Sequence, residues 1–235
     1  MRKVIPFLGG VLAASMSVVS LASEAKAPSA PAWASASLMQ ALQSMPKGDP
    51  ARGKQLHSAN FCASCHGVAG EATTMNWPSL AGQRAEYTYK MLLDYKSGRR
   101  EEDARAHIMN AAAQFLNEQD MADLAAFYAS QPLPPMAGDN AVAEKLVRQG
   151  DPTRLVTPCA ACHGLHGQGG VNETPALAGM THEYFVRTMK LYRDGQRNND
   201  AAKAMRAFAK PLTDAEIEAL AAYYAKPTAQ AVSLK

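Results

Sequence analysis

Cys62-Ala63-Ser64-Cys65-His66-Gly67 returns 97 residues later as Cys159-Ala160-Ala161-Cys162-His163-Gly164. These two hexapeptides decide how the chain is read. The sequence holds 4 cysteines, and all of them fall in the two motifs. An even cysteine count in an exported chain suggests disulfides, and Cys with His at short spacing suggests zinc. Neither explains why a histidine follows the second cysteine at once, both times. Cys-x-x-Cys-His is the attachment signature of a c-type haem. Two thiols reach the two vinyl groups, and the adjacent imidazole reaches the iron from the same side. The expectation is two haem c groups, one on Cys62, Cys65 and His66 and one on Cys159, Cys162 and His163.

The repetition extends outward from the motifs. Pro78-Ser79-Leu80-Ala81-Gly82 recurs as Pro175-Ala176-Leu177-Ala178-Gly179, and Tyr95-Lys96-Ser97-Gly98 as Tyr192-Arg193-Asp194-Gly195, both at an offset of 97. Leu124-Ala125-Ala126-Phe127-Tyr128 matches Leu220-Ala221-Ala222-Tyr223-Tyr224 at 96, so the first half carries one extra residue between Gly98 and Leu124. The chain is two copies of one domain, expected over 48–131 and 139–228, with a Pro-rich linker at 132–138. A flexible arm (28–47) and a tail (229–235) flank them. Abundant alanine beside Leu, Met, Lys and Glu, without long alternating Val/Ile/Thr runs, predicts an all-α fold. Each copy should hold a short helix into the motif (about 50–63 in the first) and a loop ending in the Pro-x-Leu-x-Gly turn. An amphipathic helix follows (85–96 and 183–193), closed by Gly98 or Gly195. A short methionine-bearing helix and a closing helix complete the plan, the last starting at Asn117–Asp120 and at the capping box Thr213–Glu216.

At 235 residues the chain accommodates two domains of about 100 each. Its formal charge of +3 overstates the basicity of the working protein, since each haem adds two propionates and a leader removes Arg2 and Lys3. No Lys/Arg stripe with interleaved aromatics points to nucleic acid. Residues 1–27 read as a secretory signal: Arg2 and Lys3, an apolar run from Val4 to Leu21, then cleavage after Ala22 or after Ala27. An uncleaved anchor is the alternative, made marginal by Gly9, Gly10 and the Ser-rich end. The expected location is the periplasm, and peripheral membrane association is compatible with it.

What fills the iron's second axial position decides the chemistry. A thioether favours Fe(II) and electron transfer, whereas an open position permits catalysis. Most of the 12 methionines serve packing, but a ligand used twice should recur in the repeat. Met109 lies 43 residues after His66 and Met205 lies 42 after His163, the difference being the one-residue insertion. Met91 and Met189 stand at an offset of 98 within amphipathic helices, which suits core packing, and Met75, Met121 and Met180 have no partners. His107 rivals Met109 by proximity, but the second half has no matching histidine. His57, His166 and His182 also lack counterparts and read as surface residues. Pro78 and Pro175 each follow their haem histidine by 12 residues, where a backbone carbonyl can accept the imidazole Nδ1–H.

One half, with Cys-x-x-Cys-His, Pro-x-Leu-x-Gly, a distal Met and a closing aromatic helix, resembles a class I cytochrome c. The tandem resembles the di-haem cytochrome c4 family, with Gly48-Asp49-Pro50-Ala51-Arg52-Gly53-Lys54, Leu80-Ala81-Gly82-Gln83 and Gly195-Gln196-Arg197-Asn198 as matching details. The resemblance covers about 48–226. It implies two tandem all-α domains about a pseudo-twofold axis, and high-potential His/Met haems passing single electrons from quinol-oxidising complexes to terminal oxidases. The sequence departs from that pattern in its Ala/Ser/Pro-rich arm before Gly48 and in Arg100-Glu101-Glu102-Asp103 ahead of Met109. A di-haem subunit of an exported dehydrogenase, such as a sulfide-oxidising flavocytochrome, is the alternative. A catalytic di-haem enzyme of the peroxidase or thiosulfate dehydrogenase kind ranks third, because both irons have a matched methionine and no cysteine is left over as a ligand.

Overall fold

The computed structural model describes Met1 and residues 30–226. The expected leader, Met1 apart, and the tail at 229–235 lie outside the described residues. Among those described, every regular element is helical, and the one β-bridge joins Asp151 to Val156.

Helix α1 (Ser35–Gln43) precedes the first domain, which is built from α2 (Pro50–Ala59), α3 (Ala63–His66), α4 (Ala85–Lys96), α5 (Ala104–Gln114) and α6 (Glu118–Ala129). The second domain follows with α7 (Ala141–Arg148), α8 (Ala160–His163), α9 (His182–Arg193), α10 (Ala204–Ala209) and α11 (Asp214–Tyr224). Helix α2 starts at Asp49, whose side chain accepts from Ala51 N at 2.8 Å while Pro50 takes the first helical position, where no N–H is needed. Both closing helices carry a complete capping box, Asn117 with Asp120 and Thr213 with Glu216. In the first domain α6 packs on α2 and α4, and in the second α11 packs on α7 and α9. The cores centre on Met121, Leu124 and Phe127 and on Ile217, Leu220 and Tyr223, all nearly inaccessible to water. Helix α2 approaches α6 closely enough that a Cβ built on Gly53 would lie 2.0 Å from the Asp123 carbonyl oxygen. Only glycine fits that crossing.

The methionine-bearing elements differ between the halves. Asp103 caps α5 by accepting from Ala106 N at 2.7 Å, and the helix runs unbroken through Met109. Its counterpart Asp200 instead accepts from Arg206 N and Nε at 3.0 and 2.7 Å. The second-domain segment therefore begins as a 3-10 turn (Ala201–Lys203), with Ala202 and Lys203 in the left-handed region, and becomes helical only at Ala204.

The expectation of a flexible arm over 28–47 needs correction. Its described part, from Ala30, carries α1, buries Leu38 to 2% exposure and lays Leu42 and Met45 on the first core. Apolar residues at helical spacing gave it a face to bury, which the Ala/Ser/Pro composition concealed.

The two domains meet through reciprocal hydrogen bonds. Gln83 of the first domain donates to the Ala176 carbonyl at 3.0 Å and accepts from Ala176 N at 2.7 Å. Thr181 of the second donates to the Trp77 carbonyl at 2.7 Å, and Arg187 pairs with Asp103 at 3.3 Å.

Candidate haem sites

Each attachment motif is a single helical turn, α3 or α8, whose first cysteine occupies the cap position and whose histidine ends the turn. Gly67 and Gly164 follow at φ +79, and the chain leaves the turn through the left-handed region that glycine tolerates. The loops then fold back so that His66 Nδ1 lies 3.0 Å from the Pro78 carbonyl and His163 Nδ1 lies 2.9 Å from the Pro175 carbonyl. A carbonyl can only accept, so each Nδ1 carries the proton and each Nε2 keeps a free lone pair. Burial lowers both imidazole pKa values, against the opposing pull of the proline carbonyls. Two neutral, oriented imidazoles result. No disulfide joins the four cysteines, so all four sulfurs remain for haem attachment.

In the second domain Cys159, Cys162, His163 and Met205 line one cavity, with Pro175 on its wall and Tyr87, Lys90 and Met91 of the first domain reaching in. Met205 is half-buried against the core of that domain. Met109 is likewise half-buried, between the two apolar clusters of the first domain, while His107 on the same helix is exposed. Met91, Met121, Met180 and Met189 are buried in the cores, and Met75 is exposed.

His57, expected at the surface, is 1% exposed. It lies one helical turn after Gly53 and so faces α6, between the rings of Phe127 and Tyr128. Its Nδ1 meets the Tyr128 hydroxyl at 2.8 Å and its Nε2 meets the Gly67 carbonyl at 3.0 Å. Desolvation lowers its pKa, so it is neutral and braces the residue after His66. In the second half Arg154 occupies the corresponding position, and the buried Tyr224 hydroxyl has no hydrogen-bond partner among the described residues.

The seam between the domains holds residues that single-site reasoning passed over. Arg100 and Arg197 stand 97 apart, as do Tyr87 with Tyr184 and Tyr95 with Tyr192. The repeat offset was the available signal. Each guanidinium stacks on its own domain's tyrosine, Arg100 at 4.7 Å from the Tyr95 ring and Arg197 at 4.5 Å from the Tyr192 ring. Arg100 pairs with Glu102, both almost fully buried. Arg197, 1% exposed, meets Asn199 Oδ1 at 3.0 Å, Tyr87 OH at 3.3 Å and Met91 Sδ at 3.4 Å, with no carboxylate in direct contact among the described residues. Its Nη1 has no hydrogen-bond partner among the described residues. Burial raises the Tyr184 phenol, yet Arg197 and Arg100 pull it down to about 8. A buried cation with an orphaned donor, on the wall of the cavity that holds Cys159, Cys162 and His163, fits a cofactor that brings its own carboxylates.

The cytochrome c family model matches residues 50–131 and again 153–226. Cytochrome c4 of Thiocapsa roseopersicina is 38% identical over 181 residues, covering 75% of this chain and 91% of that one. The thiosulfate dehydrogenase electron acceptor of Stutzerimonas stutzeri is 34% identical over 175 residues, covering 72% of this chain and 79% of its own. The crystal structure of reduced recombinant cytochrome c4 from Pseudomonas stutzeri superposes with a TM-score of 0.67 at 30% identity, covering 75% of this chain and 97% of that one. The chain belongs to the di-haem cytochrome c4 family and is an electron-transfer protein that carries two haem c groups.

Proposed function

We propose that the chain is a periplasmic carrier taking single electrons from a quinol-oxidising complex to a terminal oxidase, with six-coordinate haems in both domains. Cys62 and Cys65, and Cys159 and Cys162, hold the two groups by thioether bonds. His66 with Met109, and His163 with Met205, would bind the two irons. A bound haem iron supplies one-electron exchange between its ferric and ferrous states. The observation that carries the reading is the cavity with His163 and Met205 on its walls, His163 being oriented by the Pro175 carbonyl. Fixing the Nδ1 proton orients the ring and strengthens Nε2 as a ligand. A methionine thioether held among apolar side chains would favour the ferrous state and suit electron transfer rather than catalysis.

The test is the weak far-red Met–iron absorption of the ferric holoprotein. Met109→Ala and Met205→Ala should each remove half of it. A wild-type spectrum without the band, or already at half strength, contradicts the paired assignment.

A second reading is service to one exported dehydrogenase. It draws support from relatives of Stutzerimonas stutzeri and Thiomonas intermedia named as thiosulfate dehydrogenase electron acceptors. A dehydrogenase subunit co-purifying in fixed stoichiometry would favour it over the freely diffusing carrier.

A further inference from the structure

The N-terminal arm reaches the polar knot that joins the domains. Asp94 on α4 is fully buried, and Trp33 Nε1 donates to its Oδ1 at 2.5 Å. The other oxygen, Oδ2, accepts from Lys90 Nζ at 2.6 Å and from Asn199 Nδ2, across the seam, at 2.6 Å. Lys90 Nζ also donates to the Asn199 carbonyl at 2.9 Å. One carboxylate thus ties the arm, the first domain and the second-domain loop that leads to Met205.

Trp33 is itself held in place. The Arg99 guanidinium stacks 4.0 Å from its ring, Arg99 Nε donates to the Pro31 carbonyl at 2.9 Å, and Ala30 N donates to the Ser97 carbonyl at 3.3 Å. Helix α1 then runs against the 3-10 turn at Ala201–Lys203. That turn places two non-glycine residues, Ala202 at φ 53 and Lys203 at φ 59, in a strained conformation immediately before α10. Strain of this kind persists only where the surroundings over-determine it. The arm supplies part of those surroundings, through α1 on one side and, by way of the Trp33–Asp94–Asn199 hydrogen bonds, on the other. Both expected cleavage points, after Ala22 and after Ala27, leave Trp33 in the mature chain.

We infer that Trp33 is a positioning residue for the second haem: through Asp94 and Asn199 it holds the loop that presents Met205. The inference rests on the Met205 assignment above. It makes an unusual demand, because Trp33 packs on the first domain while its effect falls on the second.

The experiment uses the holoprotein with both haems attached. Trp33→Ala and Trp33→Phe are each combined with Met109→Ala and, separately, with Met205→Ala, so that the surviving far-red band reports one haem at a time. Imidazole is titrated against that band, and the two reduction potentials are measured. In the Met109→Ala background, Trp33→Ala should raise imidazole affinity about tenfold, the factor expected when one hydrogen bond to a buried charge is lost. In the Met205→Ala background the affinity and the potential of the first haem should not move. Trp33→Phe keeps a ring beneath Arg99 but has no N–H, and should reproduce most of the change. No shift, an equal shift at both haems, a shift confined to the first haem, or wild-type behaviour of Trp33→Phe would each overturn the inference. If Met205→Ala alone leaves the band at full strength, the ligand reading fails and takes this one with it. Normal halving with no Trp33 effect removes this inference only.

Discussion

Arg197 combines full burial with a charge that forms no salt bridge among the described residues. A cation beside an iron stabilises the form with the extra electron. Arg197→Gln should therefore lower the potential of the second haem by roughly 50–100 mV, about 1–2 kcal/mol for one electron. Spectroelectrochemical titration resolves it, and an unchanged or raised potential contradicts the assignment. The attachment motifs stand out because they repeat as a motif, and Met109 and Met205 are proposed as ligands because they repeat as a spacing. Arg100 and Arg197 repeat just as faithfully. A lone arginine, however, ordinarily marks a solvated surface, and only the packing of two domains shows the pair to be buried. His57 went the other way: lacking a counterpart excluded it as a shared ligand but carried no information about burial.

At the scale of helices, the α2–α6 crossing depends on the missing side chain of Gly53. Gly53→Ala drives a methyl into the Asp123 carbonyl and should destabilise the first domain by about 1–3 kcal/mol in denaturant titration. In each domain an arginine grips the capping-box carboxylate of the closing helix, Arg52 on Asp120 and Arg154 on Glu216. Arg154 grips Glu216 with Nη1 and Nη2 at 3.1 and 2.6 Å and Asp151 with Nε at 2.7 Å. The Arg154 hydrogen bonds hold the Glu216 carboxyl at about 2 rather than 4.5, although partial burial opposes them. A depressed carboxylate stabilises the fold fully above its unfolded value and loses that contribution as pH falls toward its folded one. The Glu216 contribution is thus present above about pH 4.5 and disappears toward pH 2. Glu216→Gln should cost about 1–2 kcal/mol at neutral pH and flatten the stability profile of the second domain across that window. An equally steep profile in the variant would contradict this. The capping boxes and α4 were readable from local pattern alone. The contrast between α5 and the broken turn before α10 was not, since it depends on Asp103 capping the N–H three residues on while Asp200 takes the N–H and side chain six residues on.

Across the whole molecule, Gln83 satisfies both backbone groups of Ala176, and it is 3% exposed. Gln83→Ala leaves a donor and an acceptor bare inside the seam, a cost of about 2–4 kcal/mol. The calorimetric transition should shift down and broaden toward two, while an unchanged endotherm would contradict a coupled interface. Contacts of this kind span about a hundred residues and have no local signature, so the duplication was plain in the sequence and the manner of docking was not. The two braces also land at telling places: Ala176 follows Pro175, and Trp77 precedes Pro78. Each domain therefore steadies the loop that orients the other's histidine. Duplication begins with interchangeable halves, and these have diverged into complements. Met180 stands where the repeat of Gln83 would fall, and Arg84 where that of Thr181 would. A chimera of two first halves would bring two glutamines and no threonine to the seam, and a chimera of two second halves the reverse. Neither half can stand in for its twin.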